Sequence, residues 1–317
     1  MVKTTPRHGG ADNAHHLSRR ALQSLAGALS RAHAHVERRL EPQPERRPYV
    51  ASVGAAYDTS FATCPCLFAL STGRVGTDSL AALLGCSPGI TAVHEPQPKL
   101  VHASYQAYMN DANHERWRDI VLAARGEQVA TSARWGNIYA ETNNRMTFLA
   151  GVLSDTLPAS RFIHLHRHPY EVIYSCMRRS HYAGHPWDYA RIRPRAGDPY
   201  ARKWDGMSVL EKVAWHWMEI NHIGLEFGRQ VPGDRFLNLP SKSLFHGDPE
   251  TIEAIFSFAG TTKPPRERLE EVLGTPHNQQ VGGAAVRTPA EWSTEQRSAV
   301  NAIVGEVAVE LGYELTH

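Results

Sequence analysis

Five short apolar runs punctuate the middle of this chain, and longer stretches of helical character separate them. The runs are "CLFALS" (66–71), "ITAVHE" (90–95), "NIYAET" (137–142), "RFIHLHR" (161–167) and "RFLNLP" (235–240). Each is too short for a helix and reads as a strand. The helical stretches have legible ends. "SVLEKVAWHWMEINHIGLEFG" opens with a capping box, Ser208 and Glu211. "GDPETIEAIFSFAG" offers Asp248 as N-cap, Pro249 at the first helical position and Gly260 as stop. "STEQRSAVNAIVGEVAVELGY" carries a second box, Ser293 and Gln296, and ends at Gly312. Strand–helix alternation predicts an α/β fold with a parallel sheet flanked by helices on both faces.

That pattern starts near Ser60. Residues 1–57 differ from the rest and are expected to be an N-terminal extension, leaving 58–317 as the main domain. "MVKTTPRHGGADNAHH" reads as disordered, while Leu17, Leu22, Leu25, Leu29, Val36 and Leu40 approach helical spacing. The prolines of "EPQPERRP" end that helix. A helix of this kind packs on the domain or pairs with a second copy in a homodimer. The segment is Arg-rich and poor in acid up to Glu37, which leaves a transit-peptide reading open.

Net charge is +2, from 34 basic against 32 acidic residues, so nothing in the balance points to nucleic acid. No apolar run reaches the roughly 18 residues that span a bilayer. Cys64, Cys66, Cys86 and Cys176 do not make a disulfide framework and fit a reducing, cytoplasmic setting.

Two stretches look built for anions. In "CLFALSTGRVGTDSL" a strand delivers a glycine turn and then a helix beginning near Thr77. Glycines let the backbone approach a ligand, and the helix start aims free N–H groups at it. Arg74 adds a fork of donors suited to a tetrahedral oxyanion. Val75, Gly76, Thr77, Asp78 and Ser79 complete the turn, with Asp78 expected to cap the helix or bind elsewhere. The nucleotide triphosphate loop GxxxxGK[ST] is absent. The second stretch is "RFIHLHRHPYEVIYSCMRRS", where Arg167 ends a strand and Ser175 follows eight residues later in a helix opened by Pro169.

Together these two stretches resemble the 5′-phosphosulfate loop and the 3′-phosphate motif of sulfotransferases that use 3′-phosphoadenosine 5′-phosphosulfate (PAPS). The resemblance runs over about residues 62–315, through "RFLNLPSKSLFHGDPETIEAIFSFAG" and the closing Gly-Tyr of the last helix. It implies a P-loop-type sulfotransferase fold, PAPS as co-substrate and no required metal. It implies that Arg74, Val75, Gly76, Thr77, Asp78, Ser79, Arg167 and Ser175 bind the donor. Arg74 would neutralise charge on the departing bisphosphate, and Ser175 would hold the 3′-phosphate and touch Arg74. Three positions depart from the family pattern: His168 replaces an aspartate, Lys242 an acid, and Asp78 a threonine.

Sulfuryl transfer needs a base for the acceptor proton. His94 and Glu95 sit at the end of the second run, on the sheet edge that carries the loop. Glu95 lies 21 residues after Arg74 and resembles the catalytic glutamate of the tyrosylprotein branch; His94 resembles the histidine of cytosolic members. Glu95 is favoured. "HLHRH" suggests a metal pair, but no carboxylate stands at ligand spacing beside it.

Three stretches are expected to shape the pocket for a small-molecule or carbohydrate acceptor. Residues 101–121 are one. "ARWGNIYAETNN" is another, with Arg134, Trp135 and Glu141, the last a third possible base. Residues 179–206 are the third, a basic aromatic insertion read as a lid, with Trp187, Tyr189, Tyr200 and Trp204 for stacking and Arg191, Arg193 and Arg195 for an acidic acceptor. Two other functions stay open: a catalytically silent nucleotide-binding scaffold on this fold, and a small-molecule kinase, against which the missing Gly-Lys-Ser/Thr speaks.

Overall fold

The computed structural model describes residues 59–110, 113–274 and 283–316. The expected N-terminal extension lies outside them. β1 (Cys66–Leu70) runs through the glycine turn into α1 (Thr77–Leu84). β2 (Ile90–His94), α2 (Val101–Met109), α3 (His114–Trp135) and β3 (Ile138–Thr142) follow. A 3-10 turn, Asn144–Leu149, leads into α4 (Ala150–Thr156), β4 (Ser160–His166) and α5 (Pro169–Arg178). After the insertion come α6 (Val209–Gln230), β5 (Phe236–Pro240), α7 (Ser241–Phe245), α8 (Pro249–Ala259), α9 (Arg266–Leu273) and α10 (Thr294–Glu310).

All five expected strands form one parallel sheet in the order β2-β3-β1-β4-β5. Helices cover both faces. Leu67 and Ala69 of β1, with Ile163 and Leu165 of β4, pack among residues of α1, α5, α6, α8 and α10. Phe68, Leu70, Tyr139 and Phe162 point the other way, toward α3 and α4. Burial on both sides is why these strands read as nearly unbroken apolar runs. The chain leaves β1 toward β2 and β3 on one side and returns through β4 and β5 on the other. The turn after β1 therefore lies at the switch point, where parallel sheets open a crevice beyond their strand ends.

The helix ends follow the sequence. Ser208 with Glu211 and Ser293 with Gln296 form reciprocal capping boxes. Asp248 accepts from the Thr251 N–H, and Gly260 takes the left-handed conformation at φ 84°. The insertion is more deeply built in than a lid. Ile192, Trp204 and Met207 are buried against Tyr108, Trp215 and Ile220, and the Trp204 and Trp215 rings meet edge to face at 5.0 Å. Among the described residues, no helix is long and apolar enough to cross a membrane.

Candidate active site

β1 ends at Leu70, and Ser71 and Thr72 stay buried behind it. The Ser71 N–H donates to Thr147 Oγ1 (2.9 Å), which ties the root of the loop to the turn after β3. The chain then takes left-handed conformations at Gly73 (φ 74°), Arg74 (φ 60°) and Gly76 (φ 95°). Gly76 is the N-cap of α1 and supplies no side chain, so the first N–H groups of that helix face the turn without a side-chain cap. Asp78 therefore does not cap the helix: it stands in the first turn and lines the pocket.

That pocket, about 100 Å³, is bounded by Arg74, Gly76, Thr77, Asp78, Ser79, Arg167, Ser175 and Phe245. The two sequence stretches, far apart in the chain, thus meet. Arg74 Nε donates to Ser175 Oγ at 3.1 Å. Val75 is the exception among the loop residues: its side chain is fully buried in the apolar core, leaving only its main chain to serve the turn. Arg167, just past the end of β4, donates from Nε to Glu171 Oε2 (2.9 Å) in the first turn of α5, and lies over the Phe245 ring. His168 takes over the capping work an aspartate would do, since its Nδ1 accepts from the Tyr170 N–H. Burial, then the charges of Arg179 and Arg167, weaken the hold of Arg74 on its proton. The pocket therefore gathers two partly buried guanidinium groups, Arg74 and Arg167, and the start of a helix, with Asp78 as the carboxylate in its lining.

β2 stops at His94, and Glu95 sits just beyond it in a left-handed conformation (φ 41°). His94 Nδ1 lies 2.9 Å from both the carbonyl oxygen and Oγ1 of Thr142. Glu95 Oε2 accepts from Lys99 Nζ at 2.9 Å. Burial pushes the Glu95 carboxyl up, but the Lys99 hydrogen bond and charge, with smaller help from His94 and Arg145, outweigh it and hold the group below its ordinary value.

Several expected acceptor residues are elsewhere. Glu141 is fully buried and cannot meet a substrate: Arg125 grips it through Nε (2.6 Å) and Nη2 (2.9 Å), and Tyr139 and Asn143 donate to it as well. Its charge partner is therefore Arg125. Arg134 and Trp135 end α3 and precede β3, so they stand at the opposite edge of the sheet from the anion loop. Trp204 is a core residue. Arg191 is buried, bound to Asp188 (2.7 Å) and to His181 Nδ1 (3.0 Å). Arg195 lies over the Tyr108 ring and 3.9 Å from Glu219. Trp187 and Tyr189 do stay exposed, at 44% and 64%. Tyr108, Phe148, Glu219 and Arg195 border a second cavity of about 350 Å³, where the 101–121 and 179–206 stretches meet.

The "HLHRH" histidines are structural. His164 bonds Asn238 and Asn221, and His166 Nδ1 bonds Tyr313 Oη at 2.7 Å. Among the described residues no group of three His, Cys, Asp or Glu is placed to hold a metal.

Sequence reasoning missed Lys99, Arg125, Arg145, Arg179 and Phe245. Spacing held a signal for two of them: Lys99 is four residues from Glu95, and Arg179 is four from Ser175, hence on the same helix face. Phe245 had none. Its ring reaches the loop only through the packing of α7, so that a Cβ on Gly76 would stand 2.5 Å from it.

The family of the chain is shown by a family model. The model of the Sulfotransferase family matches residues 65–265. Among solved structures, the chain is similar to the sulfotransferase domain of the Synechococcus PCC 7002 olefin synthase, at 16% identity and TM-score 0.47, covering 87% of this chain and 100% of that one. It is similar to the sulfotransferase domain from the curacin biosynthetic pathway, at 14% identity and TM-score 0.48, covering 80% and 100%. It is also similar to the sulfotransferase STF9 from Mycobacterium avium, at 14% identity and TM-score 0.48, covering 80% and 78%. A search of curated proteins gives no match.

Proposed function

Since this chain belongs to the sulfotransferase family, we propose that it moves a sulfuryl group from PAPS to a hydroxyl or amine of a small-molecule or carbohydrate acceptor. The observation that carries the donor half is the junction of Arg74 with Ser175 over the uncapped start of α1. The bridging phosphate oxygen gains negative charge as its bond to sulfur breaks. Arg74 and the first N–H groups of α1 stand where fixed donors stabilise it without reorganising. Ser175 and Arg167 hold the 3′-phosphate, which requires Arg167 to exchange Glu171 for the ligand.

Glu95 is the base. Its carboxylate takes the acceptor proton as the acceptor oxygen or nitrogen bonds to sulfur. Lys99 keeps it ionised and fixes its direction. A second base has one observation in its favour. If His94 donates its Nδ1–H to the Thr142 carbonyl, Nε2 keeps a free lone pair.

Calorimetric titration with 3′-phosphoadenosine 5′-phosphate (PAP) tests the donor half, with AMP and ATP as controls. Binding of PAP in the micromolar range, absent for AMP and lost in Arg167→Ala, is expected. A preference for ATP would overturn it. With labelled PAPS and a working acceptor, Glu95→Gln should abolish turnover while PAP affinity stays within about twofold, since a base contributes roughly 10²–10⁴ in rate. Full activity in Glu95→Gln, lost in His94→Ala, would move the role to His94.

A further inference from the structure

The acceptor side of the site holds a cation that the donor reading does not use. β2 and β3 pair in register, with His94 opposite Thr142. Glu95 is one residue beyond the first and Arg145 three beyond the second, so both occupy the same corner of the sheet. Arg145 is held firmly from its main chain. Its N–H donates to Asn143 Oδ1 (3.1 Å), and Asn143 donates in turn to the fully buried Glu141 (3.0 Å). Yet its guanidinium forms no hydrogen bond or ion pair among the described residues, although it is only partly exposed. Glu95, the acid that acts on its charge, is already held by Lys99. Burial lowers the affinity of Arg145 for its proton, Glu95 opposes this, Arg191 adds to it and the exposed Tyr189 opposes it again. These four groups come from the end of β2, the turn after β3 and the insertion, and the charges of the other three act on Arg145.

The donor-side cations are accounted for separately. Arg179 caps α5 four residues after Ser175, and its charge acts on Arg74. Of the three insertion arginines that the sequence offered for an acidic acceptor, Arg191 is held by Asp188 and Arg195 lies against Tyr108 and Glu219, while Arg193 is exposed on the outer surface of the insertion. Arg145 thus presents a half-buried guanidinium with no hydrogen bond of its own beside a Glu95 already bonded to Lys99, five donors matched to a planar or tetrahedral anion.

We infer that Arg145 anchors an anionic oxygen group on the acceptor, so that the substrate class is a hydroxyl compound carrying a carboxylate or sulfonate-like acid close to the hydroxyl that reacts. This rests on the sulfuryl-transfer reading for the identity of the site. The acid would pair with Arg145 while the hydroxyl reaches Glu95, and the same pairing would turn away neutral analogues, because they would leave the guanidinium desolvated and unmatched.

The test uses the full chain saturated with PAP, so that the donor-side arginines are occupied. Calorimetry then compares 4-hydroxyphenylacetate with 4-hydroxyphenylacetamide, and 4-hydroxybenzenesulfonate with its sulfonamide. At least one acid should bind about tenfold more tightly than its amide. Arg145→Gln should erase that difference and leave PAP affinity and the thermal midpoint unchanged, while Arg145→Lys should keep part of it. Equal binding of acid and amide, no binding of either acid, or a preference that survives in Arg145→Gln overturns the inference. Should the glutamine variant fail to fold, Arg145→Met and the wild-type comparison decide the same question. Failure of PAP to bind is a separate outcome that strikes the donor reading; the acid and amide titrations are then repeated without it and judged by the same criteria.

Discussion

Glu95 is the residue whose protonation should set the working range. Burial alone would raise its carboxyl, and Lys99 reverses the sign. A base must be deprotonated, so activity should hold through neutral pH and fall only on the acid side of the ordinary carboxylate range. In Lys99→Met the counter-charge is gone and burial prevails, which should move the acid limb of kcat/KM to higher pH. An unmoved limb would separate Lys99 from the base, and a limb already in the neutral range would point to an imidazole base. The other decisive pair is Arg125 with Glu141. Arg125 also donates from Nη1 to the Pro98 carbonyl at 3.0 Å, so this buried pair secures the loop between Glu95 and Lys99. Arg125→Met would strand the Glu141 charge in the core. We expect a loss of about 3–5 kcal/mol in denaturant unfolding. A loss under about 1 kcal/mol would mean that the pair is dispensable.

Among the elements, α6 is the one whose position depends on two glycines. A Cβ at Gly224 would lie 2.8 Å from the His164 ring, and one at Gly228 would lie 2.5 Å from Phe236. The helix therefore packs directly on β4 and β5, with Trp217 Nε1 donating to the Arg167 carbonyl at 3.0 Å. His164 is fixed between Asn221 and Asn238 and cannot yield, so Gly224→Ala should cost about 1–3 kcal/mol by overpacking. Because α6 supports the end of β4, weaker PAP binding should accompany the drop in thermal midpoint; unchanged values for both would show that the helix has room to shift. Strands and caps were legible here because they depend on local chemistry. The apolar runs at 66–71, 90–95, 137–142, 161–167 and 235–240 each became a strand with ends moved by at most one residue. The insertion misled because an aromatic-rich loop looks the same in sequence whether its rings face solvent, as Trp187 does, or fill a core, as Trp204 does.

For the whole molecule, the buried histidines should make stability depend on pH. Burial lowers His164 to about 4 and His166 to about 3, against an ordinary value of 6.5. Below that value the unfolded chain takes up protons the native state refuses, so stability is complete above about pH 6.5 and declines as pH falls toward 4. For His164 alone the shift amounts to on the order of 3 kcal/mol. The thermal midpoint should fall across this window, and His164→Gln should flatten the slope even though it lowers the midpoint; an equally steep slope would assign the effect to other groups. The sequence by itself determined the α/β class, the five strands, the helix caps and the glycine turn after β1, because periodicity, capping and glycine turns are written in neighbouring residues. Only the tertiary structure decided which charges are free. Glu141 looked available and is locked to Arg125; Arg191 looked free and is held by Asp188; Arg145 drew no notice in the sequence, and its guanidinium makes no hydrogen bond among the described residues. Pairing between side chains distant in sequence depends on how strands and helices are brought together, and no local pattern records it.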